Sequence, residues 1–140
     1  MRILALDLGS RRIGVALSDE LGMIAQPMAY WPAEPAAGVL DKIRELMKTR
    51  EVGLVLVGLP RNMDGSLGPA AVQAEQFMGI LREALPIPVR SWDERLTTAQ
   101  ASRLLIEGGV RRERRKEKVD SLAAALLLQS FLDAQAQPPA

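Results

Sequence analysis

Asp7 interrupts an otherwise apolar run, Ile3, Leu4, Ala5, Leu6 and Leu8, in a chain that contains no histidine and no cysteine. A carboxylate taken out of water is strongly disfavoured unless it is paired or holds a cation, so a strand aspartate in this setting needs a compensating partner. Histidine cannot be that partner here. Without imidazole or thiolate, the usual zinc sites, Ser-His-Asp triads and cysteine nucleophiles are excluded, and carboxylates, hydroxyls, lysine and arginine must carry any catalysis. Hard carboxylate oxygens suit Mg2+ or Mn2+.

Further carboxylates stand at two later points: Asp93 and Glu94 close the stretch that begins at Val89, and Asp120 precedes Ala124, Leu127 and Phe131 at helical spacing. Strand alternation sets Val89, Ser91 and Asp93 on one face and Arg90, Trp92 and Glu94 on the other, and a one-residue bulge would exchange them. Glu94 is the first choice to face Asp7 and Asp93 its alternate; an ion pair of Glu94 with Arg90 or Arg95 is the purely structural explanation. Asp120 shares a helix face with the residues that must pack on the sheet, which aims its side chain inward. The competing explanation is an aspartate at a helix start favoured by the macrodipole, worth about 0.3 to 1 kcal/mol. Three carboxylates from a central strand, a later strand end and the final helix could hold one or two divalent cations. Two such ions, ~3.5 to 4 Å apart, generate hydroxide from water and neutralise the charge growing on a leaving phosphate oxygen.

The chain carries a net charge of only +1, yet Arg111, Arg112, Arg114, Arg115, Lys116 and Lys118 crowd together with just Glu113 and Glu117 between them. Such a polarised surface fits contact with phosphate backbones, against the plainer reading of a solvated charge run beside a helix. Arg61 and Asn62, in the turn-rich segment from Gly58 to Ser66, are further candidates for holding phosphate, as are Arg11, Arg12 and Arg95. Asp64-Gly65 is also plain turn chemistry. Thr97 with Gln100 matches a capping box and needs no catalytic role. The scattered aromatics Tyr30, Trp31, Phe77, Trp92 and Phe131 are expected in packing rather than in a base-stacking platform.

The elements that must position these groups follow from periodicity. Residues 2–8 and 13–19 read as strands joined by a tight turn at Gly9, Ser10, Arg11 and Arg12, with a third strand near 24–31. Val39, Leu40, Ile43, Leu46 and Met47 recur at helical spacing, and Leu54 to Leu59 is the continuous apolar run of a strand buried on both faces. A helix ending near Leu85, a strand over 89–93, a helix from about Thr97 to Gly108 and a last helix over about 119–133 complete the order. This βββ-α-β-α-β-α-α succession predicts an α/β fold of ribonuclease H-like layout: a five-stranded mixed sheet with an antiparallel start and helices on both faces. Asp7 then lies in the middle strand, near the ends of the parallel strands, where open α/β sheets place ligands.

With 140 residues, 48% of them hydrophobic and 25% charged, the chain suits one globular domain, expected over 1–135 with a flexible tail over 136–140. No apolar stretch is long enough to span a bilayer, and the start has no signal-peptide layout, so a soluble, cytoplasmic protein without a membrane partner is expected.

The segments Asp7-Leu-Gly-Ser-Arg-Arg-Ile-Gly-Val-Ala with Ser18-Asp19, Gly58-Leu-Pro-Arg-Asn-Met-Asp-Gly-Ser, Asp93-Glu-Arg-Leu-Thr-Thr and Lys118-Val-Asp-Ser-Leu-Ala-Ala resemble, in that order, the motifs of the YqgF family of RuvC-like nucleases. The likeness spans nearly the whole chain. It implies a ribonuclease H-like fold and a bacterial cytoplasmic nuclease associated with trimming the 5′ end of precursor 16S ribosomal RNA, in a family also proposed to resolve Holliday junctions. Residue by residue it implies Asp7 as the first-strand acid, the Asp93-Glu94 pair as the second acidic motif and Asp120 as the last-helix acid. Leu67 departs from the acidic residue that many relatives carry there.

Three functions compete on the sequence. The first is a Mg2+- or Mn2+-dependent nuclease acting on structured RNA or branched DNA, as a monomer or a homodimer. The second is an actin-like or sugar-kinase-type phosphotransferase, disfavoured because such sites lie between two duplicated lobes and this length supplies one. The third is a nucleic-acid-binding module whose acids have become structural.

Overall fold

The computed structural model describes residues 1–60, 64–94 and 112–136, the side chains of 112–121 and of 136 excepted. Among the described residues eight elements follow one another: β1 (Arg2–Leu8), β2 (Arg12–Ser18), β3 (Ala25–Pro32), α1 (Ala36–Thr49), β4 (Val52–Leu59), α2 (Pro69–Ala84), β5 (Val89–Asp93) and α3 (Arg112–Ala136). The strands form one sheet in the order β3-β2-β1-β4-β5. β1 pairs antiparallel with β2 and parallel with β4, and β5 pairs parallel with β4. The antiparallel start, the mixed sheet and the central place of β1 are therefore as the sequence predicts.

Alternation along β1 and β4 divides the interior in two. Leu4 and Leu6 with Val55 and Val57 face α1 and α2, whose buried stripes are Val39 and Ile43 in one helix and Ala71, Ala74, Met78 and Leu81 in the other. Ile3 and Ala5 with Leu54 and Leu56 face α3, through Ala124, Leu127, Leu128 and Phe131. Each fully buried leucine, isoleucine or valine adds about 1.5 to 3 kcal/mol relative to exposure, so both layers hold the sheet. Small Ala5, Ala16 and Ala124 on the second side let α3 lie close to the strands.

Polar clips fix the register of this second layer. Gln129 of α3 accepts the Ala25 amide through Oε1 (3.0 Å) and donates through Nε2 to the Met23 carbonyl (2.9 Å). Asp19 shapes the turn between β2 and β3 by accepting the amides of Met23 (2.7 Å) and Ile24 (3.0 Å) on Oδ1. These two amides, Ile24 first, hold the Asp19 carboxyl below its ordinary 3.8. Ser18 is buried and accepts the Ile3 amide on its hydroxyl (2.8 Å), satisfying a donor at the start of β1.

One boundary differs from expectation. The last helix begins at Arg112 rather than near Val119, so the basic run from Arg112 to Lys118 forms its first turns instead of a preceding loop. Arginine, lysine and glutamate are strong helix formers, and their propensity extends the helix where no apolar stripe announces it. The expected helix from Thr97 to Gly108, together with Gln100, lies outside the described residues, as does 137–140 of the expected tail.

Candidate active site

The parallel strands of an open α/β sheet offer their C-terminal ends to ligands, and three neighbouring positions there define the site. The register sets Leu6 beside Val57, so Asp7 and Gly58 stand one residue further along β1 and β4. On its other side Asp7 pairs with Gly14 of β2. Asp7 continues the parity of Ile3 and Ala5 and so belongs to the α3 face. Its two lateral neighbours on that face are therefore glycines, which leave a lane without β-carbons on either side of the carboxylate.

Glu94 enters this lane. In β5, Trp92 pairs with Gly58 and packs on the α3 layer, and Glu94 follows at the same parity just beyond the strand. Its side chain lies across Gly58: a β-carbon placed there would meet Glu94 Oε1 in hard contact, with Cγ and Cδ at 3.0 and 3.1 Å. Asp93 has the parity of Val89, which packs on the α1 and α2 side. The structure thus brings Glu94 to the face of Asp7 and places Asp93 on the opposite parity, without the bulge that would have exchanged them.

The end of β5 is held from below. Phe131 of α3 packs edge-on against Trp92, with ring centroids 5.2 Å apart and planes at 89°, and the Arg90 guanidinium lies 5.2 Å from the same ring. Trp92 Nε1 donates to Ser130 Oγ (3.2 Å). At the opposite end of the strand, Arg82 of α2 donates through Nε and Nη2 to the Val89 carbonyl (3.2 and 3.0 Å). Arg90, a candidate partner for Glu94 on sequence grounds, sets its planar group against Phe131.

Asp120 occupies the ninth position of α3, one turn before the buried Ala124. The macrodipole acts within the first turn, so a helix-start role no longer accounts for this aspartate. Its side chain lies outside the described set, and so do those of Arg112, Arg114, Arg115, Lys116 and Lys118; Arg61, Asn62, Arg95 and Arg111 lie outside the described residues altogether. Among the described side chains no group of three metal-ligating residues is found, and the described carboxylates at this edge are Asp7, Asp93 and Glu94.

The remaining candidates are distributed around the β1–β2 turn. Arg12 places its guanidinium over the Tyr30 ring (4.4 Å to the centroid), and the Arg11 carbonyl accepts the Ala33 amide (3.0 Å). Both side chains are exposed. Gly9 is required in this turn: its amide donates to the Arg12 carbonyl (3.0 Å), and a β-carbon would sit 2.6 Å from that oxygen. The Asp64 carboxylate accepts the amide and hydroxyl of Ser66 (2.9 and 2.6 Å), and Gly65 takes φ 87°, the turn that Asp64-Gly65 announces. Sequence reasoning passed over Gly14 and Gln129. A glycine facing an acid across an antiparallel pair was readable in principle from the hairpin register; the Gln129 clip was not.

A family profile described as "RuvX: Holliday junction resolvase" matches residues 1–134. A protein of Pelotomaculum thermopropionicum named "Putative pre-16S rRNA nuclease" is 50% identical over 139 residues, covering 99% of this chain and 90% of that one. A protein of the same name from Halothermothrix orenii is 47% identical, over 96% of each chain. Among solved structures, RuvC of T. thermophilus in complex with Holliday junction substrate superposes with a TM-score of 0.54 at 19% identity, over 97% of this chain and 96% of that one. The fowlpox virus resolvase in complex with Holliday junction DNA does so with a TM-score of 0.58 at 12% identity, over 98% and 100%. At these identities the two structures establish the fold, which is the ribonuclease H-like one.

Proposed function

This chain belongs to the RuvX family, the YqgF family of the sequence motifs, and from that premise we propose that it is a divalent-metal-dependent nuclease processing the 5′ end of precursor 16S ribosomal RNA. The observation that carries this reading is the pairing of Asp7, in its lane between Gly14 and Gly58, with Glu94 laid over Gly58 from β5. The names of the curated relatives favour a ribosomal RNA precursor as the substrate. The protein is a single nuclease domain over 1–135 acting in the bacterial cytoplasm, and among the described residues no helix is long and apolar enough to cross a membrane.

The donor set fits a hard dication. Asp7 and Glu94 supply oxygen ligands only, the missing side chain at Gly58 lets Glu94 reach the face of Asp7, and Asp120 is the third donor, with Asp93 the alternate to Glu94. Lengths support this assignment: α3 rises ~1.5 Å per residue, so Asp120 stands about 13 Å along the axis from the Gln129 clip, and β1 covers about the same distance from Ile3 to Asp7. Bound there, Mg2+ or Mn2+ would make a bound water more acidic and so a better nucleophile, and would stabilise charge on the departing oxygen. Asp7 and Glu94 would hold the ion that offsets their own repulsion of the scissile phosphate. Arg11 and Arg12 in the β1–β2 turn, together with Arg61, Asn62, Arg95 and the basic residues Arg111, Arg112, Arg114, Arg115, Lys116 and Lys118, hold the flanking phosphates.

The description of the family favours a second reading, a Holliday junction resolvase. Paired incisions in a four-way junction call for a symmetric dimer, whereas trimming an RNA end can use a monomer. Offering the purified protein a precursor 16S 5′-end RNA and a four-way DNA junction side by side, with Mg2+ or Mn2+ and a mass measurement, separates them. Faster RNA cleavage is expected. Asp7→Asn should abolish cleavage while folding and binding persist, and full activity in that variant would overturn the assignment.

A further inference from the structure

A cavity opens at the same end of the sheet, on the opposite face from Asp7 and Glu94. It has a volume of about 440 Å3 and is built from α2, the β1–β2 turn and the segment after β3. Gly58 borders both places, with the Glu94 side chain on one side and this cavity on the other. The two sites are therefore separated by one strand edge. The volume falls within the range of small-molecule pockets. Its wall includes the half-buried ring of Phe77, and polar groups come from Ser10, Glu34 and Gln73.

The chemistry of this lining discriminates among ligands. A carboxylate at Glu34 repels phosphate, so the cavity is not a further anion site. A flat ring with apolar faces and a hydrogen-bonding edge suits it: unpaired bases in RNA are recognised by stacking on aromatic side chains and by contacts to their edges. Carboxylates accept from exocyclic amino groups, and a glutamine amide matches a donor and acceptor pair. We propose that this cavity receives one unpaired nucleobase bearing an exocyclic amino group, from the nucleotide next to the phosphate addressed by Asp7 and Glu94. The position of that phosphate rests on the nuclease reading above; the base-binding cavity does not.

The test is amide chemical-shift mapping of the full chain with each of the four nucleoside 5′-monophosphates, using ribose 5-phosphate as a base-free control. Saturable shifts at Ser10, Gln73 and Phe77 are expected with adenosine, cytidine and guanosine monophosphates, and about threefold weaker binding with uridine monophosphate, which lacks the amino group. Ala70→Leu extends an exposed cavity residue into the space and should abolish the shifts while the rest of the spectrum stays in place; Glu34→Gln should erase the preference over uridine. Absence of saturable shifts at these residues, equal shifts with ribose 5-phosphate, or unchanged binding in Ala70→Leu would overturn the proposal. Because the titration reads binding alone, a protein that cuts no nucleic acid yet binds these bases would sink the nuclease reading and leave the cavity assignment standing, and the reverse pattern would do the opposite.

Discussion

Glu94 lies across Gly58, its Cγ and Cδ 3.0 and 3.1 Å from the place a β-carbon would take. The absence of a side chain at a strand position thereby becomes a condition for the acid of the neighbouring strand to reach the face of Asp7. Gly58→Ala must push Glu94 aside, and displacement of a reacting group by about 1 Å is worth roughly 10²-fold in rate. Cleavage should fall by about that factor while the thermal midpoint moves little, as activity and melting measured on one preparation would show. Parent-like activity in Gly58→Ala would detach Glu94 from the chemistry.

The opposite parities of Asp93 and Glu94 give a second test. Glu94→Gln keeps the shape and removes the charge, and it should lower cleavage about 10²-fold or more, whereas Asp93→Asn should stay within a few-fold of the parent. Single-turnover rates on one RNA substrate decide between them. A reversed order would make Asp93 the ligand.

The basic run from Arg111 to Lys118 should act through phosphates. Replacing Arg111, Arg112, Arg114 and Arg115 by alanine should weaken nucleic-acid binding and lower the dependence of log affinity on log salt by about 0.7 to 0.9 for each phosphate no longer bound. Fluorescence anisotropy at a series of salt concentrations measures this directly. An unchanged slope would assign the cluster to solubility.

Gln129 ties α3 to the β2–β3 turn through bonds to Ala25 and Met23, and also bonds Asp133 within the helix. Gln129→Ala should cost about 1 to 2 kcal/mol, since each such bond contributes about 0.5 to 1.5 kcal/mol net and part of the group is exposed. Urea unfolding reports the loss as a lower midpoint at unchanged slope. If α3 positions Asp120, activity should fall further than stability alone explains.

The Asp19 turn carries a pH signature. Its carboxyl titrates lower in the folded chain than in the unfolded one, because the Ile24 and Met23 amides favour the charged form. The stabilisation is therefore complete above the unfolded value near 3.8 and fades as pH falls through the folded value. Asp19→Ala should be less stable than the parent at neutral pH, and the gap should narrow in acid; thermal melts across the acid range test it.

Much of the architecture was legible because it is local. The alternation that buries Leu4 and Leu6 on one side and Ala5 on the other, and the unbroken run of β4, announced a mixed sheet with β1 at its centre. The parity of Glu94 was one of two readings that alternation allowed, and the register of β5 on β4 selects it. The start of α3 was hidden because Arg112 to Lys118 has no apolar stripe for periodicity to find. The Gln129 clip was out of reach for another reason: it joins positions more than a hundred residues apart through one side chain. In the sequence Gly58 only opens a turn-rich segment, and its relation to Glu94 depends on two strands meeting in space.

β3 forms one border of the sheet, and Pro27 and Pro32 stand within its paired stretch. Proline has no amide hydrogen, so this margin is short of the donors that an incoming extended peptide would need. The opposite margin is β5, only five residues long. Neither rim templates further strand addition, which protects a sheet this rich in valine and leucine against amyloid-type growth during synthesis.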